Sequence, residues 1–149
     1  MTSPRTPVPP ETVNEDSRMS IVNTAHARAR FVNDGLAILS GPRLLLALYE
    51  RLGRDLDDAS SACRGGSLAA AHAALLHAQE IVQELSLALD ARAWDGAPGL
   101  AELYDWLSRE LVTANIAKDL DAIDRCRQVV EPLRAAWTDA ALGAARAAG

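Results

Sequence analysis

The sequence predicts an all-α protein: an antiparallel four-helix bundle, or five helices if a short N-terminal cap helix is counted, behind a disordered N-terminal tail. Three observations carry this reading. Apolar residues recur every three or four positions through four long segments, which is the period of one helix face. Alanine and leucine, together about a third of the chain, supply the apolar content, while aromatics make up only 4%. No strand or hairpin signal competes, and the β-branched and aromatic residues that a sandwich favours are scarce. With 149 residues, 49% of them apolar, the chain is long enough to bury its own core without metal or disulfide.

The elements follow in order. Pro4, Pro7, Pro9 and Pro10 remove backbone donors and fix φ, so residues 1–18 read as an extended, solvated tail. The bundle domain is assigned to 19–142 and a frayed C-terminal tail to 143–149. Ile21, Ala25 and Ala29 outline a short first helix over 20–34, stopped at Asp34-Gly35. Ser40 is a candidate cap and Pro42 suits the first turn of the next helix, where its missing N–H is not needed. That helix, over 42–63, presents Leu45, Leu48, Leu52, Leu56 and Ala59, and Gly65-Gly66 ends it. Ser67 is placed to cap a third helix whose Leu68, Ala71, Leu75, Ala78, Val82, Leu85 and Leu89 step by threes and fours. Residues 91–99, with Asp95-Gly96 and Pro98-Gly99, read as a loop. Leu103, Leu107, Leu111 and Ala114 line a fourth helix from about 100 to 118. Asp119 can cap a fifth, which carries Leu120, Ile123, Val130, Leu133 and Trp137. Pro132 lies inside it and predicts a kink or a break into two segments.

Little here nominates catalysis. The net charge of −5, with Lys118 the single lysine, gives no electrostatic reason to seek nucleic acid or an anionic membrane. No run of 18 apolar residues predicts a membrane span and no signal peptide is evident, so the expected location is the cytoplasm. Cys63 and Cys126 fit free thiols there. His72 and His77 are five apart, on different helix faces, and Glu80 and Glu84 lack the histidine a bundle metal site would use. Gly65-Gly66-Ser67 reads as a turn rather than a phosphate loop, since it lacks a lysine. The expectation is a binding protein, not an enzyme, with no metal and no cofactor.

Four segments, taken together and in order, resemble the FliS family of flagellar secretion chaperones. They are Phe31 to Tyr49, which contains Leu36-Ala-Ile-Leu-Ser-Gly-Pro42; Ala78-Gln-Glu-Ile-Val-Gln-Glu-Leu85 with Leu89-Asp90; Leu103-Tyr-Asp-Trp-Leu107 continuing to Ala114-Asn115; and Leu133-Arg-Ala-Ala-Trp137. Five of the six aromatics fall where that family places one, and Trp94 does not. The proline of the turn stands one place later than usual, the N-terminal tail is longer, and Pro132 is unusual.

The resemblance implies a cytoplasmic export chaperone that binds the disordered C-terminal segment of flagellin and prevents its premature polymerisation. It implies a flagellin-binding groove drawn from Leu45, Leu48, Tyr49, Leu52, Ile81, Leu85, Tyr104, Leu111 and Asn115. It also implies an N-terminal plug of Phe31, Leu36 and Ile38 that covers an apolar site until flagellin displaces it. The periodicity itself leaves each leucine open between groove and core. Asn115, a poor mid-helix residue, is open between holding a turn and holding a partner's backbone. Export-gate components and a weak homodimer stay open as further partners. The alternative function is a helical-bundle adaptor or regulator that binds an amphipathic helix of another protein.

Overall fold

A computed structural model describes residues 41–90 and 92–148. The tail over 1–18, the helix expected over 20–34, the plug residues Phe31, Leu36 and Ile38, and Ser40 lie outside the described residues. The described residues form four helices: α1 (Pro42–Arg64), α2 (Leu68–Ala88), α3 (Ala97–Ala117) and α4 (Leu120–Ala148). Each packs against two neighbours in a ring, α1–α2–α3–α4 and back to α1, and the diagonals do not meet. This is the predicted antiparallel four-helix bundle.

Local chemistry explains the boundaries. Gly41 precedes α1 with φ 60° and ψ −133°, a backbone region essentially reserved for glycine, and Pro42 takes the first helical position. The cap position therefore belongs to Gly41 rather than to Ser40. Gly65 and Gly66 close α1 as expected, with Gly66 at φ 73° and the N–H of Ser67 bonded back to the Ala62 carbonyl at 2.8 Å. Ser67 occupies the cap position of α2, but its hydroxyl makes no capping bond. Helix α3 starts at Ala97, earlier than the loop assigned to 91–99, because a proline in the first turn costs no hydrogen bond. Asp119 caps α4 as predicted: its carboxylate accepts the Asp121 N–H at 3.0 Å. Between α3 and α4 the chain turns through Lys118 in the left-handed conformation, φ 51°.

Of the kink or break expected at Pro132, the break does not occur in α4. The helix runs unbroken through Pro132 and on to Ala148. Pro132 is on the exposed side, where the orphaned carbonyl of Gln128 can turn to water, and Val130, Leu133 and Trp137 anchor the helix on both sides of it.

Every helix contributes to one core. Tyr49, Leu52 and Leu56 come from α1; Leu75, Ile81, Val82 and Leu85 from α2; Tyr104, Leu107 and Leu111 from α3; Ile123, Cys126 and Val130 from α4. The heptad seam read from the sequence is this buried stripe of α2 from Ala71 to Leu85; Leu68 at its start is 58% exposed, and Leu89 at its end lies past the helix and is half-buried. Ion pairs tie the outer edges: Arg125 reaches Glu110 of α3 at 2.6 Å, and Arg127 reaches Asp57 of α1 at 2.7 Å.

Candidate functional site

The nine residues proposed for a groove mostly face inward. Tyr49, Leu52, Ile81 and Leu111 are fully buried, and Leu48, Leu85 and Tyr104 are almost so. Leu45 is half-buried and packs against the core from the first turns of α1. Three of the nine, Leu45, Leu85 and Tyr104, meet around a cleft of about 270 Å³ at the end where α1 begins, α2 ends and α3 begins. Leu100, Trp94 and Trp137 complete its wall, and among its described lining residues only Asp90 is charged.

The cleft owes its mouth to one backbone detail. A Cβ placed on Gly96 would sit 1.9 Å from Cζ3 of Trp94, so the indole lies against Gly96. Trp94 is half exposed there. Below it, the hydroxyls of Tyr49 and Tyr104 share a buried hydrogen bond of 2.5 Å. The Tyr49 and Trp137 rings lie 6.2 Å apart, and the Trp137 indole nitrogen is buried without a well-formed hydrogen bond. Burial pushes both tyrosine hydroxyls above the usual phenol range. The shared bond pushes Tyr104 up further and draws Tyr49 back.

Asn115 is buried at the far end of α3. Its side-chain oxygen accepts from Lys118 Nζ at 2.7 Å and lies 3.0 Å from His72 Nδ1 of α2. The same ammonium group donates to the Asn115 main-chain carbonyl. Asn115 thus holds the left-handed turn and ties it to α2. His77, on another face of α2 from His72, is buried and meets Asp55 of α1 at 2.5 Å, with Arg51 3.3 Å from the other carboxylate oxygen.

What sequence periodicity missed is a set of exposed apolar side chains around the His72–Asn115 contact. Leu68 and Leu76 stand four residues before and after His72 on α2, 58% and 37% exposed. Val112 and Ile116 flank Asn115 on α3, 45% and 82% exposed. Leu76 and Val112 are out of step with the buried stripe of their own helix, Ile116 follows the last buried residue of α3, and Leu68 is in step but precedes Ala71, the first buried residue of α2. These four side chains leave apolar surface exposed on both α2 and α3.

No group of three metal-ligating side chains occurs among the described residues. No helix of the described residues is long and apolar enough to cross a membrane. Burial pushes the Cys126 thiol up to about 12, so it stays a protonated, unreactive packing group.

The model of the FliS family, described as flagellar protein FliS, matches residues 24–144 of this chain. A solved structure described as a flagellar chaperone from bacteria superposes with a TM-score of 0.63 at 21% sequence identity, over 80% of this chain and 98% of the other. At that identity the likeness concerns the fold. No curated protein matches.

Proposed function

This chain belongs to the FliS family of flagellar proteins, and from that premise we propose that it is a cytoplasmic export chaperone for flagellin. It binds the C-terminal segment of flagellin, prevents premature polymerisation and keeps the subunit ready for export. The observation that carries the reading is the exposed apolar patch of Leu68, Leu76, Val112 and Ile116, set on a bundle whose core is already filled. A disordered client segment that folds on binding must offset its ordering entropy by burying a large apolar surface, typically about 1,000–3,000 Å². A patch crossing from α2 to α3 gives an amphipathic segment a track on which to begin.

In this reading the buried members of the sequence-derived groove form the rigid floor beneath the client, and Leu45, Leu85 and Tyr104 meet it at the cleft. The plug residues Phe31, Leu36 and Ile38 belong to the same proposal. They precede Gly41, where the chain enters α1 at the cleft end of the bundle. The client would have to displace them.

Co-expression with flagellin tests the proposal. A soluble 1:1 complex is the expected result. Failure of the two to co-elute, with both soluble, would sink it. Capture of an unrelated partner with flagellin absent would favour the adaptor alternative.

A further inference from the structure

The polar centre of the patch on α2 and α3 fixes the chemistry of one histidine nitrogen. The Asn115 side-chain oxygen takes two donors, Lys118 Nζ at 2.7 Å and His72 Nδ1 at 3.0 Å. Turning the carboxamide over would set its NH2 group against the ammonium, donor to donor, so the oxygen holds this place. An amide oxygen only accepts, so His72 Nδ1 carries the proton. A neutral imidazole has one N–H, and its other nitrogen is then a bare acceptor. In His72 that acceptor is Nε2. The two ring nitrogens point roughly opposite ways. Nδ1 turns inward to buried Asn115, so Nε2 faces outward from an exposed residue.

Position makes that acceptor matter. Leu68 and Leu76 stand about one helical turn before and after His72, on its own face of α2, and Val112 and Ile116 flank Asn115 on α3. A segment that covers both leucines passes over the imidazole. Facing water, Nε2 is satisfied by solvent. Under a covering chain it becomes a stranded lone pair, and a buried acceptor without a donor costs more than one hydrogen bond returns. A segment that is apolar throughout is therefore penalised here. A carboxylate only accepts and offers Nε2 no proton. An Arg or Lys can donate, but it brings a second cation to a place where Lys118 already holds the Asn115 oxygen. A hydroxyl or a carboxamide donates without charge.

We propose that His72 is a specificity-determining residue of this patch: its Nε2 accepts a hydrogen bond from a neutral donor side chain, Ser, Thr, Asn or Gln, set within the apolar stripe of the bound segment. The four apolar side chains give the contact its area. His72 gives it register, because sliding the segment along α2 by a turn takes its donor off the ring. Asn115 holds the ring in the tautomer that leaves Nε2 bare. The proposal rests on the chaperone reading, which supplies the segment, and adds the chemistry by which the patch tells one apolar segment from another.

The test uses the full chain with 15N in its three histidine rings, at pH 8, on the neutral side of the ordinary imidazole range of about 6.5. The His72 signals are those lost in His72→Phe. In the free protein they should show a protonated Nδ1 and a bare Nε2. Adding the C-terminal segment of flagellin should move Nε2 toward the shift of a hydrogen-bonded acceptor while it stays unprotonated. His72→Phe keeps a ring beneath the segment but leaves the segment's donor unpaired, so it should weaken binding about three- to tenfold. Replacing the segment's Ser, Thr, Asn and Gln residues by Ala, one at a time, should find one whose effect disappears in His72→Phe. A proton on Nε2 in the free protein, a bound Nε2 that takes up a proton, or unchanged affinity in His72→Phe would each overturn the assignment. Should that variant fail to fold, the labelled parent still decides by its shift. If the segment binds with Nε2 unmoved, the histidine proposal falls and the chaperone reading stands. If the parent chain does not bind the segment at all, both fall.

Discussion

Asp55 and His77 place two polar side chains where α1 meets α2, and their 2.5 Å contact makes that burial tolerable. Removing His77 takes the short contact from one oxygen of the buried Asp55 carboxylate and leaves it Arg51 alone among the contacts described above. His77→Ala should therefore cost about 2–3 kcal/mol in urea unfolding, and the double change Asp55→Leu with His77→Leu should recover much of it. The alkaline limit of the fold is set by three buried acids. Cys126, Tyr49 and Tyr104 all have folded pKa values raised above their ordinary values of 9.0 and 10.0, chiefly by burial. Below pH 9 all three are protonated in both states and their contribution is fully present. Above it the unfolded chain releases protons that the folded chain holds, so stability falls as pH rises. Urea melts at about pH 8 and pH 10.5 should differ in that direction, and the thiol of Cys126 should resist alkylation while half-buried Cys63 reacts. None of these partnerships was legible in spacing along the chain. Asn115 stood out because its helix propensity is poor, but only the antiparallel packing of α2 and α3 brings His72 to it.

At the scale of the helix, glycine and proline explain both what the sequence reveals and what it hides. Gly41 holds a conformation that other residues resist, so Gly41→Ala should lower stability by about 1–3 kcal/mol. Gly53 lies mid-helix in α1, and a Cβ there meets nothing within 4 Å among the described residues. Gly53→Ala should raise stability by about 1 kcal/mol through helix propensity alone. Gly96→Ala must instead push the Trp94 indole aside. Since that side chain is half exposed, the expected result is a change in tryptophan emission with little loss of melting temperature. Helix limits were readable wherever such local chemistry decides them, as at Pro42, Gly65-Gly66 and Asp119. The break into two segments that Pro132 allowed does not occur, because its local cost, about 3 kcal/mol in a regular interior, says nothing of the packing on both sides that holds α4 in one piece.

For the molecule as a whole, the bundle was legible in the sequence, while the division of its apolar residues between core and surface was not. Helical periodicity left the leucines that the family resemblance placed in a groove open between groove and core, and the structure buries Ile81 and Leu111 in the core. On the proposed reading a client uses the apolar side chains that remain outside. Ile81→Asp would place a charge in the interior and unfold the protein, giving no information on binding. Ile116→Asp, at 82% exposure, should leave the melting temperature within about 2 °C of the parent and weaken flagellin binding at least about tenfold, as loss of an apolar anchor does. Calorimetric melting and titration on the same sample would separate the two effects. The ring of helices has a further consequence, in the time order of synthesis. Three of its seams join consecutive helices, and only the seam between α1 and α4 joins the first to the last. A ribosome releases α1, α2 and α3 in sequence, at about 5–20 residues per second. Each can dock on its predecessor within milliseconds, as local helical topologies do. The flank of α1 that carries Tyr49 and receives Trp137 stays open until α4 has emerged. For several seconds of its synthesis, a protein that shields others has an unshielded side of its own.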